Sequence, residues 1–246
     1  MPIETVIREV TSGVWTFSRP FTRMGIAAIG GRSTAIKLAD GGVWVLASTI
    51  LDDRTKQTID ALGPVKYIVG ADAVHYLFLG EFHKAYPEAK VLTVEEVLPN
   101  AEKIGFRVDG YWNDAKPVQE FGFENDIQSC YFSGFINKDV AFFHKASRTL
   151  IQADLLFNTP CKEQYSMYGW PWRSGRTLFG LFGGFSPYSG FHKWITKNLG
   201  SKDPEAMKRD AKTVSEWDFE RIIPCHGDVI EKDGKIAWQS AFTHWL

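Results

Sequence analysis

The feature that most restricts the fold is a change of texture that happens twice along the chain. Residues 5 to 50 contain β-branched or aromatic runs bounded by Gly and Asp: Val6-Ile7-Arg8-Glu9-Val10, Val14-Trp15-Thr16-Phe17, Thr34-Ala35-Ile36-Lys37-Leu38 and Val43-Trp44-Val45-Leu46. Asp40-Gly41-Gly42 between the last two is a hairpin signal, so the chain opens with antiparallel strands. From Asp52 helical spacing takes over, with Thr55, Ile59 and Leu62 on one face of a helix over Asp53 to Leu62 that Gly63-Pro64 stops. A strand at Val65 to Val69, a helix over Tyr76 to Tyr86 and a strand at Lys90 to Val94 follow, and such alternation requires a parallel portion of sheet. The second half repeats the order. Strands are predicted at Val118 to Phe121, Ile127 to Phe132, Val140 to Phe143 and Thr149 to Ala153, then a helix from Asp203 to Glu220 and the strand Ile222-Ile223. Asp203 is a good N-cap, with Pro204 at the first helical position. Hairpins followed by βα units in each half predict an α/β (α+β) fold of two mixed sheets packed face to face with helices outside, a four-layer αββα sandwich.

Composition narrows the function. With 246 residues, 44% of them hydrophobic, the chain can bury one sizeable core, and one domain over 1–246 is expected. A net charge of -1 supplies no field that would draw it onto nucleic acid or an anionic membrane. Cys130, Cys161 and Cys225 are an odd number without C-x-x-C spacing, which speaks against a disulfide framework or a zinc knuckle and for a reducing compartment. No signal sequence opens the chain and no apolar run approaches the ~20 residues that span a bilayer, so a cytoplasmic protein is expected.

The stretch Arg221-Ile222-Ile223-Pro224-Cys225-His226-Gly227-Asp228 reads as a buried strand that delivers His226 onto a loop beside a turn-forming glycine. Asp154 stands at the end of another strand, Thr149-Leu150-Ile151-Gln152-Ala153, and an acid flanked by Leu155-Leu156-Phe157 is costly unless paired or coordinated. After the strand Val65 to Val69 comes Gly70-Ala71-Asp72-Ala73-Val74-His75-Tyr76.

These three stretches, in this order and spacing, resemble the signature of the metallo-β-lactamase-like hydrolase superfamily. There a loop H-x-H-x-D-H, a later His, an Asp after a strand and a final G-H-G-like His converge on one or two metal ions at the sandwich's edge. The resemblance assigns His226 to the final His and Asp154 to the strand-then-Asp element. The H-x-H-x-D-H loop is degenerate, since no register leaves more than one or two ligating groups there, and no His occurs at Ser133-Gly134-Phe135, where the middle His is expected. What it implies is a single open site: Asp154, His226, His75 and Asp72 as metal ligands for one divalent ion (Zn, or Mn or Fe), with Asp72 and His75 also the candidate catalytic groups. The alternative is a sandwich that has kept the fold and holds no metal.

Other motifs are weaker. Gly184-Phe185-Ser186-Pro187-Tyr188 lacks the second Gly of a nucleophile elbow, and Pro187 lacks the N–H an oxyanion hole needs. Gly25-Ile26-Ala27-Ala28-Ile29-Gly30-Gly31 is no phosphate-binding loop and is expected as a mobile loop beside the site. His144 is expected as a satisfied strand-end residue, and His83, His192 and His244 as surface residues. Residues 165–194 form an insert rich in aromatics, glycine and proline, too irregular for a strand and too Gly-rich for a regular helix. Its Trp170, Trp172, Phe182 and Tyr188 are the candidate substrate-binding residues, lining a pocket for an apolar or aromatic small molecule. A satellite core or a homodimer contact is the other role open to it. The expected activity is metal-dependent hydrolysis of an ester, lactone or amide; the competing expectation is a non-catalytic sandwich that binds a hydrophobic ligand or protein through the insert.

Overall fold

The computed structural model describes residues 4–23, 27–167 and 184–246. The first half runs β1 (Val6–Thr11), β2 (Val14–Arg19), β3 (Thr22–Arg23), β4 (Ala27–Ala28), β5 (Gly31–Lys37), β6 (Val43–Leu46), α1 (Asp53–Leu62), β7 (Val65–Val69), α2 (Leu79–Ala85), β8 (Lys90–Val94), α3 (Leu98–Ile104) and β9 (Gly110–Trp112). The second runs β10 (Ile127–Tyr131), β11 (Val140–His144), β12 (Thr149–Gln152), α4 (Gly190–Asn198), α5 (Pro204–Glu216), β13 (Arg221–Pro224) and α6 (Gly234–Ala241). One seven-stranded sheet has the order β1-β2-β5-β6-β7-β8-β9, and a four-stranded sheet has the order β10-β11-β12-β13. Pairing is antiparallel from β1 to β6 and parallel from β6 to β9. The second sheet repeats the change, antiparallel through β12 and parallel between β12 and β13. This is the αββα sandwich that the twofold change of texture predicts.

Period-two alternation decides which face meets which layer. Phe142, Ile151 and Ile223 point between the sheets, where Phe142 packs against Trp44 and Trp112. Their neighbours Phe143, Leu150 and Ile222 point outward and are covered by Met207, Ala211 and Val214 of α5 and Trp238 and Phe242 of α6. Trp44 sits edge-on to Phe142 and Phe123, with ring centroids 5.0 and 6.4 Å apart, and forms the centre of the inter-sheet layer. The helix ends follow local chemistry. Asp52 accepts from the Thr55 N–H at the start of α1, and Asp203 accepts from the N–H groups of Glu205 and Ala206 at the start of α5. Among the described residues no helix is long and apolar enough to cross a membrane.

Some elements differ from expectation. Val118 to Phe121 is not a strand: Val118 is 87% exposed, with no partner face to bury it, and the neighbouring strand is β9 instead. α2 starts at Leu79, not Tyr76, because Asp72 ties the preceding turn to its own side chain. α4 begins inside the stretch considered too Gly-rich for a helix; Ser189 accepts from the His192 N–H and starts it. α5 ends at Glu216, where Trp217 turns to an extended conformation to bury its ring against Phe143. Of the Gly-rich stretch expected as a loop, Ala27 and Ala28 form β4 and Gly31 begins β5; Gly25 and Ile26 lie outside the described residues.

Truncating the central aromatic tests the layering. Trp44→Ala should lower unfolding free energy by ~3–5 kcal/mol in urea denaturation, as expected for a ring removed from a packed interior. A loss under ~1 kcal/mol would place Trp44 outside a shared core.

Candidate active site

The loop after β13 is fixed at nearly every backbone group. Arg32 on β5, fully buried, donates from one terminal nitrogen to the carbonyls of Pro224 at 2.7 Å and Gly227 at 2.6 Å. Gln164 donates to the Cys225 carbonyl at 2.8 Å and accepts the Gly227 N–H at 3.0 Å. Gly227 has φ +99°, and a Cβ there would lie 2.2 Å from the Asn158 carbonyl oxygen, so the turn requires glycine. His226 then has one orientation: its Nδ1–H donates to the Gly30 carbonyl at 2.6 Å, leaving Nε2 to face inward.

His75 is aimed the same way from the first sheet. Asp72 Oδ1 accepts the N–H groups of Val74 at 2.7 Å and His75 at 2.9 Å, a local turn that competes with helix. Both Asp72 carboxylate oxygens stand 2.9 Å from His75 Nδ1, so His75 Nε2 is again the free nitrogen. The two Nε2 atoms are 3.2 Å apart. Asp154, beyond β12, brings Oδ1 to 3.2 Å from His226 Nε2, where it accepts no hydrogen bond, while Oδ2 accepts from Asn137 at 2.6 Å. Asp139 accepts the N–H groups of Asp154 and Leu155 and so pins that strand exit. His75, Cys225 and His226 each place a donor atom within 4.8 Å of the others, as do Asp72, His75 and Asp154.

Two imidazoles with both Nδ1 positions committed would point lone pairs at one another. A cation must lie between them, either a proton or a metal ion. Two donors bound at about 2.0–2.1 Å in tetrahedral geometry stand about 3.3 Å apart. The 3.2 Å spacings His75 to His226 and His226 to Asp154 match that value. Two imidazoles, a carboxylate oxygen without a partner and a nearby thiol are a donor set suited to zinc. The residues therefore fit one divalent ion.

Electrostatics in the metal-free fold say the same. Burial opposes charge on His75, but Asp72, Asp154 and Cys225 outweigh it and raise its pKa well above the usual imidazole value. His226 is raised too, against its own burial, by Asp154 and Cys225. Burial would raise Asp154, yet His75 and His226 hold it well below the carboxylate range. Cys225 is likewise pulled down to about 7 against the effect of burial by His75 and His226. Asp139 is raised well above the usual value by burial and by Asp72 and Asp154.

The four residues expected as ligands, Asp72, His75, Asp154 and His226, thus come together at one edge. Cavities flank them. One, of about 280 Å³, is lined by Phe21, Ile50, Val74, Leu77 and Phe78 with His75 and His226. The other, of about 410 Å³, is lined by Phe135, Phe157, Ile195 and Leu199 with Asp154 and His192. Of the expected substrate-binding residues, Trp170, Trp172 and Phe182 lie outside the described residues. Tyr188 is 56% exposed in the turn that leads into α4 and lines neither cavity. His192, expected at the surface, is buried, because the first turn of α4 carries it inward. His144 is satisfied by Ser147, as expected of a strand-end residue. Arg32, Gln164, Cys225, Asn137 and Asp139 were not singled out for the site; the one signal for any of them was the place of Cys225 directly before His226.

Comparisons with known proteins agree with this geometry. A family model described as a domain of unknown function (DUF4336) matches residues 11–166. No curated protein is matched by the sequence. Among solved structures, the chain is similar to a metallo-beta-lactamase from Pontibacter korlensis, at 13% identity and TM-score 0.60 over 98% of this chain and 99% of that one. A metallo-beta-lactamase from Hirschia baltica is similar at 10% identity and TM-score 0.60, over 97% of each chain. The metallo-beta-lactamase FIM-1 from Pseudomonas aeruginosa, solved in its mono-zinc form, is similar at 10% identity and TM-score 0.60 over 99% of this chain and 97% of that one. At such identities the likeness establishes the fold.

Two outcomes follow from the clamp and the charges. Arg32→Met keeps the aliphatic stem but leaves two loop carbonyls without their donor and takes one of its cations from Glu163, so it should cost roughly 3–5 kcal/mol in urea denaturation; a change below about 1 kcal/mol would refute the clamp. In metal-free protein, the raised pKa values of His75 and His226 contribute stability that is complete below about pH 6.5 and lost as pH rises through the raised values. The depressed Asp154 contributes above about pH 3.9 and ceases to as pH falls through its lowered value. The melting temperature of metal-free protein should therefore fall as pH rises from about 6.5 through the raised imidazole values, the fall being opposed where Cys225, lowered to about 7, ionises in favour of the folded state; saturating zinc should abolish it, and a rise in melting temperature over this range would contradict the arrangement.

Proposed function

We propose that this chain, which belongs to the DUF4336 family, is a metal-dependent hydrolase with one divalent ion held by His75 Nε2, His226 Nε2 and Asp154 Oδ1. The observation that carries this is the pair of imidazole Nε2 atoms 3.2 Å apart with both Nδ1 positions engaged, an arrangement that calls for a shared cation. Cys225 lies within reach as a further donor. Such an ion supplies Lewis-acid polarisation of a substrate carbonyl and makes water in the site acidic enough to act as a nucleophile near neutral pH.

The chain's own groups do the rest. Asp72 holds the Nδ1 proton on His75 and so keeps its Nε2 lone pair directed inward, and the Gly30 carbonyl does this for His226. Asn137 occupies one oxygen of Asp154 and thereby turns the other toward the imidazoles. Phe21, Leu77 and Phe78 exclude bulk water from the cavity above His75 and select an apolar or aromatic acyl or leaving group of an ester, lactone or amide. One domain over 1–246, with residues 165–194 adding to the pocket wall, is part of this proposal. So are a small-molecule substrate, a cytoplasmic location, which the three free thiols support, and the insert as a dimer contact if it is not the pocket wall.

A second reading is favoured by the 3.2 Å separation of His226 and Asp154, which also suits an ion pair with protons in place of metal; the chain would then be a binding sandwich without catalysis. Metal content decides. Protein purified without chelator should carry about one divalent ion per chain. His226→Ala should remove both the ion and hydrolysis of aryl esters, and Asp154→Asn should weaken metal binding at least tenfold while the protein stays folded. His144→Ala should leave metal content unchanged. Wild-type protein that takes up no zinc, manganese or iron at neutral pH would overturn the hydrolase in favour of the binding sandwich.

A further inference from the structure

One wall of the cavity above His75 comes from a single stretch, Arg19-Pro20-Phe21-Thr22-Arg23. It leads from the end of β2 into β3, and side chains two apart in an extended chain share a face. Ser18 and Thr22 meet the segment beyond β12, the Ser18 hydroxyl donating to Glu163 at 2.7 Å and the Thr22 hydroxyl lying 3.2 Å from that of Tyr165. Arg19, Phe21 and Arg23, with Pro20 between the first two, instead line the cavity of about 280 Å³ together with His75 and His226. The backbone is anchored at that spot. The Phe21 carbonyl accepts from the N–H groups of Ile29 at 3.1 Å and Gly30 at 3.0 Å and from the Tyr165 hydroxyl at 2.7 Å, and the Phe21 ring stacks on His226 with centroids 6.1 Å apart. Two guanidinium groups are thus carried beside the site on a fixed support.

Their charge is only partly answered by the protein. Among the described residues no Asp or Glu lines this cavity. Arg19 donates from one terminal nitrogen to Thr5 at 2.8 Å and to Asp52 at 3.0 Å, behind the cavity wall. Arg23 is exposed and makes no hydrogen bond or ion pair among the described residues. It also lines the second cavity, beside Asp154, and so stands where the two cavities meet. Against the effect of burial, it joins His75 and His226 in holding Asp154 ionised. Apolar walls with two guanidinium groups and no acid repel a cation, whereas a carboxylate finds there the planar fork of N–H donors that matches it. Because Arg23 is open to water, such an anion can be bound without the full cost of burying a charge.

We propose that Arg23 is a specificity residue that binds a carboxylate on the substrate, with Arg19 adding to the field, so that the site takes apolar or aromatic molecules that carry a negative charge in preference to neutral ones. As a statement about substrate it rests on the hydrolytic reading; as a statement about binding it is tested without metal. Metal-free protein would be titrated by calorimetry with phenylacetate, with neutral phenylacetamide and with the cation phenethylammonium. Phenylacetate should bind about tenfold more tightly than phenylacetamide, the order expected of a hydrogen bond to a charged group, and added salt should shrink the difference. Arg23→Gln removes the charge from a side chain on which no described contact depends, so it should bring the two affinities together without changing the melting temperature, and Arg23→Lys should keep part of the preference. In zinc-loaded protein the ratio of kcat/KM for 4-nitrophenyl hemiglutarate over 4-nitrophenyl butyrate should fall about tenfold in Arg23→Gln. Equal binding of phenylacetate and phenylacetamide to wild type, no binding of either, tighter binding of phenethylammonium, or a preference that survives Arg23→Gln would each overturn the proposal. Carboxylate binding that needs Arg23, in a protein that takes up no metal, would sink the hydrolase alone; hydrolysis indifferent to substrate charge would sink the role of Arg23 alone.

Discussion

The site depends on one buried cation, the Arg32 guanidinium. It belongs to β5 in the first sheet, yet two of its hydrogen bonds go to the loop that follows β13 in the second, so it joins the sheets at the edge where the histidines meet. Burying a charge is costly unless every donor is used and a counter-ion is near. Here Ser18 accepts from Nε at 3.0 Å and Glu163 pairs with the remaining terminal nitrogen at 3.3 Å. Glu163 also pairs with Arg8 at 2.8 Å, which draws β1 into the same network. Only the fork of a guanidinium can reach two carbonyls, a hydroxyl and a carboxylate from one position; an ammonium has neither the reach nor the number of donors.

The backbone topology explains why the donors converge on that edge. His75 follows β7, Asp154 follows β12 and His226 follows β13, and each of these strands has a parallel neighbour. Parallel strands send their carboxyl ends in one direction, and the loops beyond those ends form the crevice where α/β sheets bind ligands. Packing two such sheets face to face brings two crevices together. Each donor is then held by a group outside the cluster: Asp72 behind His75, the Gly30 carbonyl behind His226, Asn137 and Asp139 behind Asp154.

Much of this was legible in the chain and the rest was not, for physical reasons. The strands, the hairpin at Asp40-Gly41-Gly42 and the helix after Asp203 follow from local periodicity and capping, and so does the sandwich. His226 and Asp154 were visible because a turn-forming glycine and an acid after a buried strand are local signals. Asp72 and His75 could be named but not oriented, since whether they face the same way depends on a side-chain turn that no spacing rule encodes. Arg32 was invisible because the loop carbonyls and the carboxylate it binds lie 131 to 195 positions away in the chain. His192 was assigned to the surface because a lone histidine in a glycine-rich stretch carries no sign of the serine cap that buries it.

Phe135 ties the metal site to the cavity beside it. It lies in the stretch Ser133-Gly134-Phe135 that carries no histidine, and in the structure it lines the cavity that opens from Asp154. Phe135 offers no donor for a cation there and supplies apolar surface. The charges suit a single ion: Asp154 is ionised, Asp139 is pushed toward its neutral form, and Cys225 lies near the balance point at about 7. Asp154 and at most one thiolate, with the Asp72 carboxylate behind His75, offset a single divalent ion beside two neutral imidazoles. The stretch that offers no further imidazole thus places apolar surface from Phe135 beside the proposed mononuclear site.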